Sequence, residues 1–298
     1  MTPPIPYVRD MSFDYGVIER LSPLVRRIVA RNPSPFTFHG TGTYIIGNGA
    51  VAVIDPGPAL DEHVEAILAG LDDGETISHQ IITHTHRDHS PAARLIGRAT
   101  GAATYGFGPH GAGCADGAVE EGADHDFTPD VTLRDGDVIE GDGWSLTAVH
   151  TPGHTSNHLC YALAQESVLF SGDHVMGWSS TVIVPPDGDM AAYLASLRHL
   201  LTREDRLYWP THGPAIETPK LLVRAYLDHR AARERQIADC LKRGVSGIPA
   251  MVESMYADVP KNLHAAAACS VLAHLIHMVE EGRATCDEAP RADGAFGP

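Results

Sequence analysis

The feature that most constrains this chain is a run of four metal-capable side chains within six positions. His84, His86, Asp88 and His89 occur in the sequence Thr-His-Thr-His-Arg-Asp-His, directly after a short apolar strand pattern. Because side chains alternate along a strand, the first two histidines should point the same way, while the Asp-His pair falls where the chain turns into a helix. Four candidate ligands at this spacing rarely occur by chance. They can bind two adjacent metal ions, the two histidines one ion and the Asp-His pair the other.

Three further candidates, His154, Asp173 and His212, each follow an apolar strand pattern at its C-terminal end. Loop residues from such positions converge in α/β folds, so all three could reach the same place. Taken alone, each is more readily explained as a loop histidine or a turn aspartate. Together with the first four they make five His and two Asp, which is the right number for a two-metal site.

The first two thirds of the chain are predicted to alternate short strands with helices. Two β-rich runs joined by Gly-Asn-Gly at residues 47–49 predict a hairpin, and residues 59–71 carry apolar side chains near helical spacing. Further strands are predicted at residues 80–83, 144–149, 167–170 and 206–209.

The character of the chain changes after residue 213. Three helical patterns follow one another, at residues 220–243, 248–256 and 263–281. The first is opened by Thr-Pro and ended by a glycine, as helices often are. We therefore expect two domains, an α/β body over residues 1–215 and a small helical module over residues 216–298. The Gly/Pro/Asp-rich tail from residue 285 onward is expected to be frayed.

The composition argues against several classes of protein. A net charge of −16 repels polyanions at long range unless the surface carries a local basic patch. Five cysteines without short paired spacings argue against a disulfide framework or a Cys-based zinc site, and fit a reducing cytoplasm. No apolar run approaches the roughly 18 residues of a membrane span, which argues against a membrane protein. The proline-rich first ten residues show no secretory signal, so we expect a cytoplasmic protein without a membrane partner.

At the candidate ligands the chain resembles the metallo-β-lactamase superfamily. The family pattern is HxHxDH, then a distant His, a bridging Asp and a last His, and this order runs here from His84 to His212. The likeness covers roughly residues 36–214. The helical module resembles the winged-helix-like appendage of the lactamase-β-like branch. The resemblance implies an αββα sandwich of the α/β class, with a dinuclear, usually zinc, centre at one edge.

The resemblance also implies a role for each residue. The seven ligands would divide between two metal ions, with His84, His86 and His154 on the first, Asp88, His89 and His212 on the second, and Asp173 bridging them. Asp88 and Asp173 would be the catalytic carboxylates. Asp55 matches the early Asp of the family, which supports the site without binding metal. Two Zn²⁺ per chain suit these ligands, although imidazole and carboxylate do not exclude iron or manganese.

The ligand set predicts hydrolysis. Two cations sharing a water lower its pKa towards neutrality, supply a hydroxide nucleophile and polarise a carbonyl or phosphoryl oxygen. Zinc β-lactamases use a Cys ligand or lack the bridging Asp, so they match less well. Glyoxalase II shares all seven ligands, but its last His stands in Cys-Gly-His-Glu, whereas His212 stands in Thr-His-Gly-Pro. The basic glutathione-binding segment is also missing after Asp173, so a glutathione thioester is not favoured.

Several functions stay open. A small-molecule ester, thioester or lactone hydrolase is favoured by the acidic charge and by candidate pocket walls, which could equally be core residues: Phe36, Phe38, Met176 and Trp178. A single-strand-specific endoribonuclease of the lactamase-β-like type is the alternative, favoured by the module. A metal-binding protein without turnover and a one-iron dioxygenase are lesser alternatives. The oligomeric state is left open.

The basic helix pattern at residues 220–243 is the only notable basic patch, with seven basic and three acidic residues. A run of surface charge usually faces solvent and has no specific ligand. We therefore expect Arg230, Arg233 and Arg235 to help dock the module on the acidic body, and not to bind phosphate. The last predicted helix contains no Lys or Arg, which argues against duplex binding. Since the basic helix follows directly after the last ligand, its first turns, residues 221–226, are expected to wall the substrate cleft.

Overall fold

The computed structural model of this chain describes residues 5–111 and 121–298. In these two ranges the strands are β1 Glu19–Arg20, β2 Val25–Val29, β3 Gly42–Ile46, β4 Ala50–Ile54, β5 Thr76–Ile81, β6 Ala103–Gly106, β7 Val131–Thr132, β8 Val138–Gly141, β9 Trp144–His150, β10 Leu159–Leu163, β11 Val168–Gly172, β12 Leu207–Pro210, β13 Thr285–Cys286 and β14 Phe296–Gly297. The α-helices are α1 Asp61–Ala69, α2 Ala93–Thr100, α3 Met190–Leu201, α4 Pro219–Lys242, α5 Ile248–Met255 and α6 His264–Glu280.

Two sheets pack face to face. The first contains β1 to β7 in chain order, antiparallel up to β4 and parallel from there on. The second has the order β12-β11-β10-β9-β8, with β11 and β12 parallel and the other pairs antiparallel. Large buried side chains from both sheets fill the space between them, among them Tyr44, Trp144, Tyr161 and Phe170.

Helices cover the outer face of each sheet. On the first sheet, α1 and α2 share a cluster with the strands, to which Ile45 and Ile96 belong. On the second sheet, α3 and the first half of α4 form another cluster, to which Leu169 and Leu197 belong. Because both faces of each sheet are buried, many strands are continuous apolar runs instead of alternating patterns. This arrangement confirms the predicted αββα sandwich.

The predicted hairpin is present as β3 and β4. Gly47 at the turn has a φ of 94°, a conformation that favours glycine. A Cβ there would also lie 2.3 Å from Cδ1 of Trp144, so this position has no room for a side chain. The turn residues that predict the hairpin therefore also allow the second sheet to approach closely.

Helix α4 belongs to two cores at once. Its first half contributes Leu222 and Tyr226 to the cluster shared with the second sheet. Its second half contributes Ile237 and Leu241 to a separate cluster with α5 and α6. A single uninterrupted helix thus joins the sandwich to the module, and the boundary at residue 215 stays a prediction.

The C-terminal tail is ordered, so the expectation of a frayed end is wrong. Strand β13 pairs with β14 in an antiparallel ribbon. Phe296 is only 3% exposed and lies in the core of the module. Although Gly, Pro and Asp dominate the composition there, burying one aromatic ring contributes about 2 kcal/mol, which helps to hold the end of the chain. The ribbon completes a winged-helix arrangement with α5 and α6.

One helical stretch in the described ranges is long and apolar enough to cross a membrane by length and composition alone. It covers residues 261–280. The expectation that no apolar run approaches this length is therefore wrong for this helix, in which polar residues such as Ser270 and His274 are spaced among the apolar ones. Its window is 44% buried, and Val271, Leu275 and Met278 pack in the module core. A core helix of a soluble protein passes the same test, so the finding is weak evidence for a membrane span.

A half-buried carboxylate connects α4 to α6. Glu234 accepts hydrogen bonds from Nδ1 of His277 at 2.8 Å, from Nδ1 of His274 at 3.3 Å and from Nη2 of Arg283 at 2.7 Å. Burial opposes the charge of Glu234, but the hydrogen bonds from the two histidines and Arg283 lower its pKa to about 2. The module is therefore stabilised by an ionised carboxylate.

Glu234→Gln is expected to lower the free energy of unfolding by about 1–3 kcal/mol at pH 7, because three donors lose a charged acceptor. The folded-state pKa of Glu234 lies below its ordinary value of 4.5, so this stabilisation is full above that pH and is lost as the pH falls towards 2. Urea unfolding at pH 7 and pH 3 measures the effect. An equal difference between wild type and variant at both pH values would contradict the ion-pair account.

Candidate metal centre

The seven predicted ligands lie together at one edge of the sandwich, where the two sheets meet. Four of them follow β5, and the other three follow β9, β11 and β12 in turn. The parallel pairs β4–β5 and β11–β12 end at this edge, so the loops after them converge there. All seven side chains are buried, and they form three groups of close ligand atoms: His84, His86 and His154; His84, His89 and Asp173; Asp88, His89 and His212.

The first group consists of three imidazoles. Nδ1 of His86 lies 3.0 Å from Nε2 of His84 and 3.2 Å from Nε2 of His154. Ligand nitrogens around a tetrahedral zinc ion, with bonds of about 2.0–2.1 Å, lie roughly 3.3 Å apart. The three nitrogens are therefore spaced as ligands of one ion.

The second group combines carboxylates and imidazoles. Oδ2 of Asp88 lies 3.0 Å from Nε2 of His212 and 3.4 Å from Nε2 of His89. Asp173 reaches both groups, because its Oδ1 lies 3.4 Å from Nε2 of His212, and its Oδ2 lies 3.5 Å from Nε2 of His89 and 3.9 Å from Nε2 of His154. This carboxylate occupies the position that a bridging ligand requires.

Two orphaned atoms show that the site suits a cation. Nε2 of His89 and Oδ1 of Asp173 are buried, and neither has a hydrogen-bond partner among residues 5–111 and 121–298. Leaving such an atom unpaired costs about 1–3 kcal/mol. A divalent metal would satisfy both atoms, and a set of imidazole and carboxylate donors suits zinc and other borderline ions. That the seven residues bind metal stays a prediction with which this geometry agrees.

The two groups differ in their electrostatics. Burial, together with the neighbouring histidines, lowers the pKa of His84 well below its usual value, so its ring is neutral. Burial also opposes charge on His212, but Asp173 and Asp88 outweigh it and raise the pKa of His212 to about 10. Without a cation the second group is therefore held by imidazolium–carboxylate pairs, and metal binding there must release protons.

Asp55 supports the candidate ligands through hydrogen bonds, as expected. Its Oδ2 accepts hydrogen bonds from Nδ1 of His89 at 2.9 Å, from the Thr83 hydroxyl at 2.7 Å and from the Thr211 hydroxyl at 3.0 Å. The bond from His89 keeps the proton on Nδ1, so Nε2 can face the metal position. Backbone carbonyls orient two further ligands: Nδ1 of His212 donates to Gly40, and Nδ1 of His154 donates to Val182.

Asp55→Asn is expected to weaken metal binding by about 10–100-fold, because an amide cannot accept from His89 and both threonine hydroxyls at once. Titration of the metal-free protein against a chromophoric chelator measures the affinity. Asp124→Asn is the matched control, since Asp124 is also buried but accepts from Ser90 and Arg94. Unchanged affinity in the Asp55 variant would refute the supporting role.

Some supporting residues were not predicted from the sequence. Thr83 and Thr211 each directly precede a ligand histidine, and this repeated Thr-His pair is a signal that could have indicated them. His158 gave no such signal. Its Nε2 accepts from the backbone N–H of Asp173 at 3.2 Å, and its Nδ1 lies 2.9 Å from the Thr151 hydroxyl. His158 thereby helps to position the bridging carboxylate.

A narrow pocket of about 40 Å³ lies over the ligands. Three of the four candidate wall residues, Phe36, Met176 and Trp178, line it, while Phe38 stacks on Trp178 with ring centroids 4.8 Å apart. These side chains are pocket walls, with Phe38 as support. The pocket thus offers an apolar surface directly beside the candidate metal ligands.

The expectation that residues 221–226 wall the cleft is wrong. Leu221 is exposed, and Tyr226 is buried behind the wall, where its hydroxyl donates to the carbonyls of Met176 and Ser179. The segment at residues 176–182 lies between α4 and the pocket. Since that segment supplies the wall, the first turns of α4 act only by holding it in place.

Comparison with known proteins agrees with the fold. The family model for the metallo-beta-lactamase superfamily matches residues 37–212, and that for the beta-lactamase associated winged helix domain matches residues 248–291. A beta-lactamase domain protein from Burkholderia ambifaria superposes with a TM-score of 0.79 and 19% identity, over 97% of this chain and 95% of that chain. At this identity the superposition shows the fold alone.

Two relatives illustrate the range of similar sequences. An atrochrysone carboxyl ACP thioesterase from Cryptosporiopsis sp. is 30% identical over 76% of this chain, and the match spans 65% of that relative's length. A beta-lactamase-like protein 2 homolog from Drosophila melanogaster is 33% identical over 89% of this chain and 91% of the relative. The match of the family model to more than half of the chain establishes that the chain belongs to the metallo-beta-lactamase superfamily, with a winged helix domain at its C-terminal end.

Proposed function

We propose that this chain is a hydrolase of acyl thioesters that uses two zinc ions. The observation that carries the proposal is the convergence of seven buried ligands beneath an apolar-walled pocket. The choice of a thioester is supported by relatives that are described as ACP thioesterases and are about 30% identical to this chain. An ester or a lactone presents the same carbonyl and is the nearest competing substrate.

The residues of the pocket have distinct tasks in this proposal. Metal ions bound there would generate a nucleophile from water at neutral pH and polarise the carbonyl oxygen. Phe36, Met176 and Trp178 would hold the acyl chain and exclude bulk water. Asp88 and Asp173 also line the pocket, together with Glu121, so a bound substrate would lie beside these carboxylates.

The structure offers little support for an endoribonuclease. Arg230 is 3% exposed, and Arg233 lies against the Tyr256 ring at 4.1 Å, so neither belongs to an extended basic track of the length that a polynucleotide needs. Helix α6 contains no Lys or Arg. A polyanion would therefore meet few accessible cations on these helices, in a chain whose net charge is −16.

A substrate panel tests the proposal. The metal-loaded protein is assayed with S-acyl-N-acetylcysteamine thioesters, with oxygen esters and lactones of matched chain length, and with single-stranded RNA. We expect thioester turnover to exceed oxygen-ester turnover by at least about tenfold, which corresponds to about 1.4 kcal/mol of transition-state preference. RNA cleavage without thioester turnover would overturn the proposal.

A further inference from the structure

A groove of about 470 Å³ runs between the sandwich and the winged helix module. It shares Pro35, Phe36, Ser179, Ser180 and Val182 with the pocket over the candidate metal ligands, so the two cavities adjoin. Because the pocket itself is small, the groove is where the remainder of a longer substrate can extend.

Two arginines one helical turn apart on α4 line this groove. Nη2 of the buried Arg230 donates to the Thr181 carbonyl, and its Nε is buried without a hydrogen-bond partner among the described residues. Nη1 of Arg233 donates to the carbonyl of Met255 at 3.1 Å and to Oε1 of Gln236 at 2.9 Å. Its Nε is also buried without a hydrogen-bond partner among the described residues.

Neither guanidinium forms an ion pair with a carboxylate of residues 5–111 or 121–298, although the chain is strongly acidic. Burying a cation without an opposite charge costs several kcal/mol. The retention of both charges beside a groove therefore indicates an anionic partner that arrives from outside.

The other ionisable side chains of the groove leave it positive. Arg9 and Asp258 line it and are exposed. His229 also lines it, and burial together with Arg230 and Arg233 lowers its pKa to about 3, so that ring is uncharged at neutral pH. Three arginines thus face a single carboxylate along the lining.

A short wall segment connects the arginines to the metal ligands. The Thr181 carbonyl accepts from Arg230, and the Thr181 hydroxyl donates to the carbonyl of Asp173. The next residue, Val182, accepts from His154 at 2.8 Å. Residues 181–182 thus separate the groove from the metal pocket. An anion bound at Arg230 would lie on one side of this segment, and the candidate ligands Asp173 and His154 lie on the other.

We propose that Arg230 and Arg233 bind the phosphate of a pantetheine-type carrier arm, so that the substrate is an acyl thioester of a phosphorylated carrier. This inference rests on the proposed thioesterase function. The guanidinium fork matches the oxygen geometry of a phosphate. Apolar lining residues such as Val259 and Leu263 suit the uncharged part of the arm, which would run along the groove and bring the thioester carbon to the pocket.

The test compares one acyl group on two carriers. Hexanoyl-coenzyme A bears phosphates, whereas S-hexanoyl-N-acetylcysteamine bears none. For Arg233→Gln and Arg230→Gln we expect the KM for the coenzyme A thioester to rise by about 10–100-fold with little change in kcat, because a charged hydrogen bond is lost. Kinetics of Arg233→Gln on the N-acetylcysteamine thioester should stay unchanged, since Arg233 donates to Gln236 and Met255 and not to the wall segment. Arg224→Gln, an exposed change on the same helix, is the matched control and should behave as wild type.

Binding supplies a readout that needs no turnover. Calorimetric titration with coenzyme A should show a weaker Kd in Arg233→Gln, and the salt dependence of Kd should flatten. A melting curve would reveal whether Arg230→Gln unfolds. In that case Arg233→Gln, a change at a half-buried residue, still tests the inference.

Equal kinetic losses on both thioesters, or wild-type KM values in the Arg233 variant, would overturn the inference. Loss of single-stranded RNA cleavage in the same variants would also overturn it, in favour of a polynucleotide. Coenzyme A binding that depends on Arg233 in a protein without thioester turnover would support the phosphate site and refute the proposed hydrolysis.

Discussion

Asp173→Ala is expected to lower kcat for a thioester by about a thousandfold, because stabilisation by the metal centre is worth several kcal/mol and each 1.36 kcal/mol is a factor of ten. The carboxylate of Asp173 faces both ligand groups, with oxygen atoms 3.4 Å from His212 and 3.9 Å from His154. Without this carboxylate, less negative charge would offset the repulsion between two neighbouring cations. Bound metal should therefore fall from two ions towards one per chain.

The measurement pairs steady-state kinetics with elemental analysis of the same sample. Asp205→Asn is the matched control, since Asp205 pairs with Arg203 at 2.6 Å and does not line the metal pocket. This control should keep both turnover and metal content. Circular dichroism should show that the Asp173 variant is folded. Wild-type turnover with full metal occupancy in that variant would mean that Asp173 does not bridge.

Removing metal is expected to abolish turnover, again by at least about a thousandfold, because in the proposed reaction the nucleophile is a water activated by metal. The metal-free protein should remain folded, since the cores between the sheets and in the module do not involve the ligands. The imidazolium–carboxylate pairs, such as His212 with Asp88 at 3.0 Å, would also hold the second group together.

Dialysis against a chelator, followed by stepwise addition of zinc, iron or manganese, measures this dependence and identifies the effective metal. Turnover should return in proportion to bound metal and reach its maximum near two ions per chain if both groups are needed. A maximum at one ion would show that one group suffices. Full activity in protein that contains no metal by elemental analysis would refute a metal-dependent reaction.

The thioester proposal and the groove inference concern different parts of the site. In these two proposals the pocket beside Asp88 and Asp173 would decide which bond is attacked, and the groove beside Arg230 and Arg233 would decide which carrier is recognised. Changes in the first should reduce kcat on every substrate. Changes in the second should raise KM only for substrates that carry phosphate.

The candidate metal site could be predicted from the sequence because its strongest signal is local. His84, His86, Asp88 and His89 lie within six positions, so a strand that ends there must bring them close together. The more distant ligands each stand just after a strand, and the resemblance to a known family relates these strands to one another. The prediction that the seven residues converge therefore needed only strand ends and family order.

The two arginines of the groove could not be predicted in the same way. The positive charge of the basic helix is visible in the sequence, and a docking role was expected for Arg230 and Arg233. Segments far away in the chain decide which cationic side chains are buried and which carboxylates lie near them. Here these segments are residues 179–182 and 255–256. Only the packed structure shows that both guanidiniums line one groove without a carboxylate partner among the described residues.

The tail shows the same division. Its composition indicates a loose end, since Gly, Pro and Asp favour turns. Phe296 is held because a cluster formed by α4, α5 and α6 leaves an apolar site for its ring. Local spacing and family order were thus enough to predict the candidate ligands, the strands that precede them and the sandwich. The groove and the ordered tail could not be predicted in this way, because burial depends on contacts between residues that are distant in the chain.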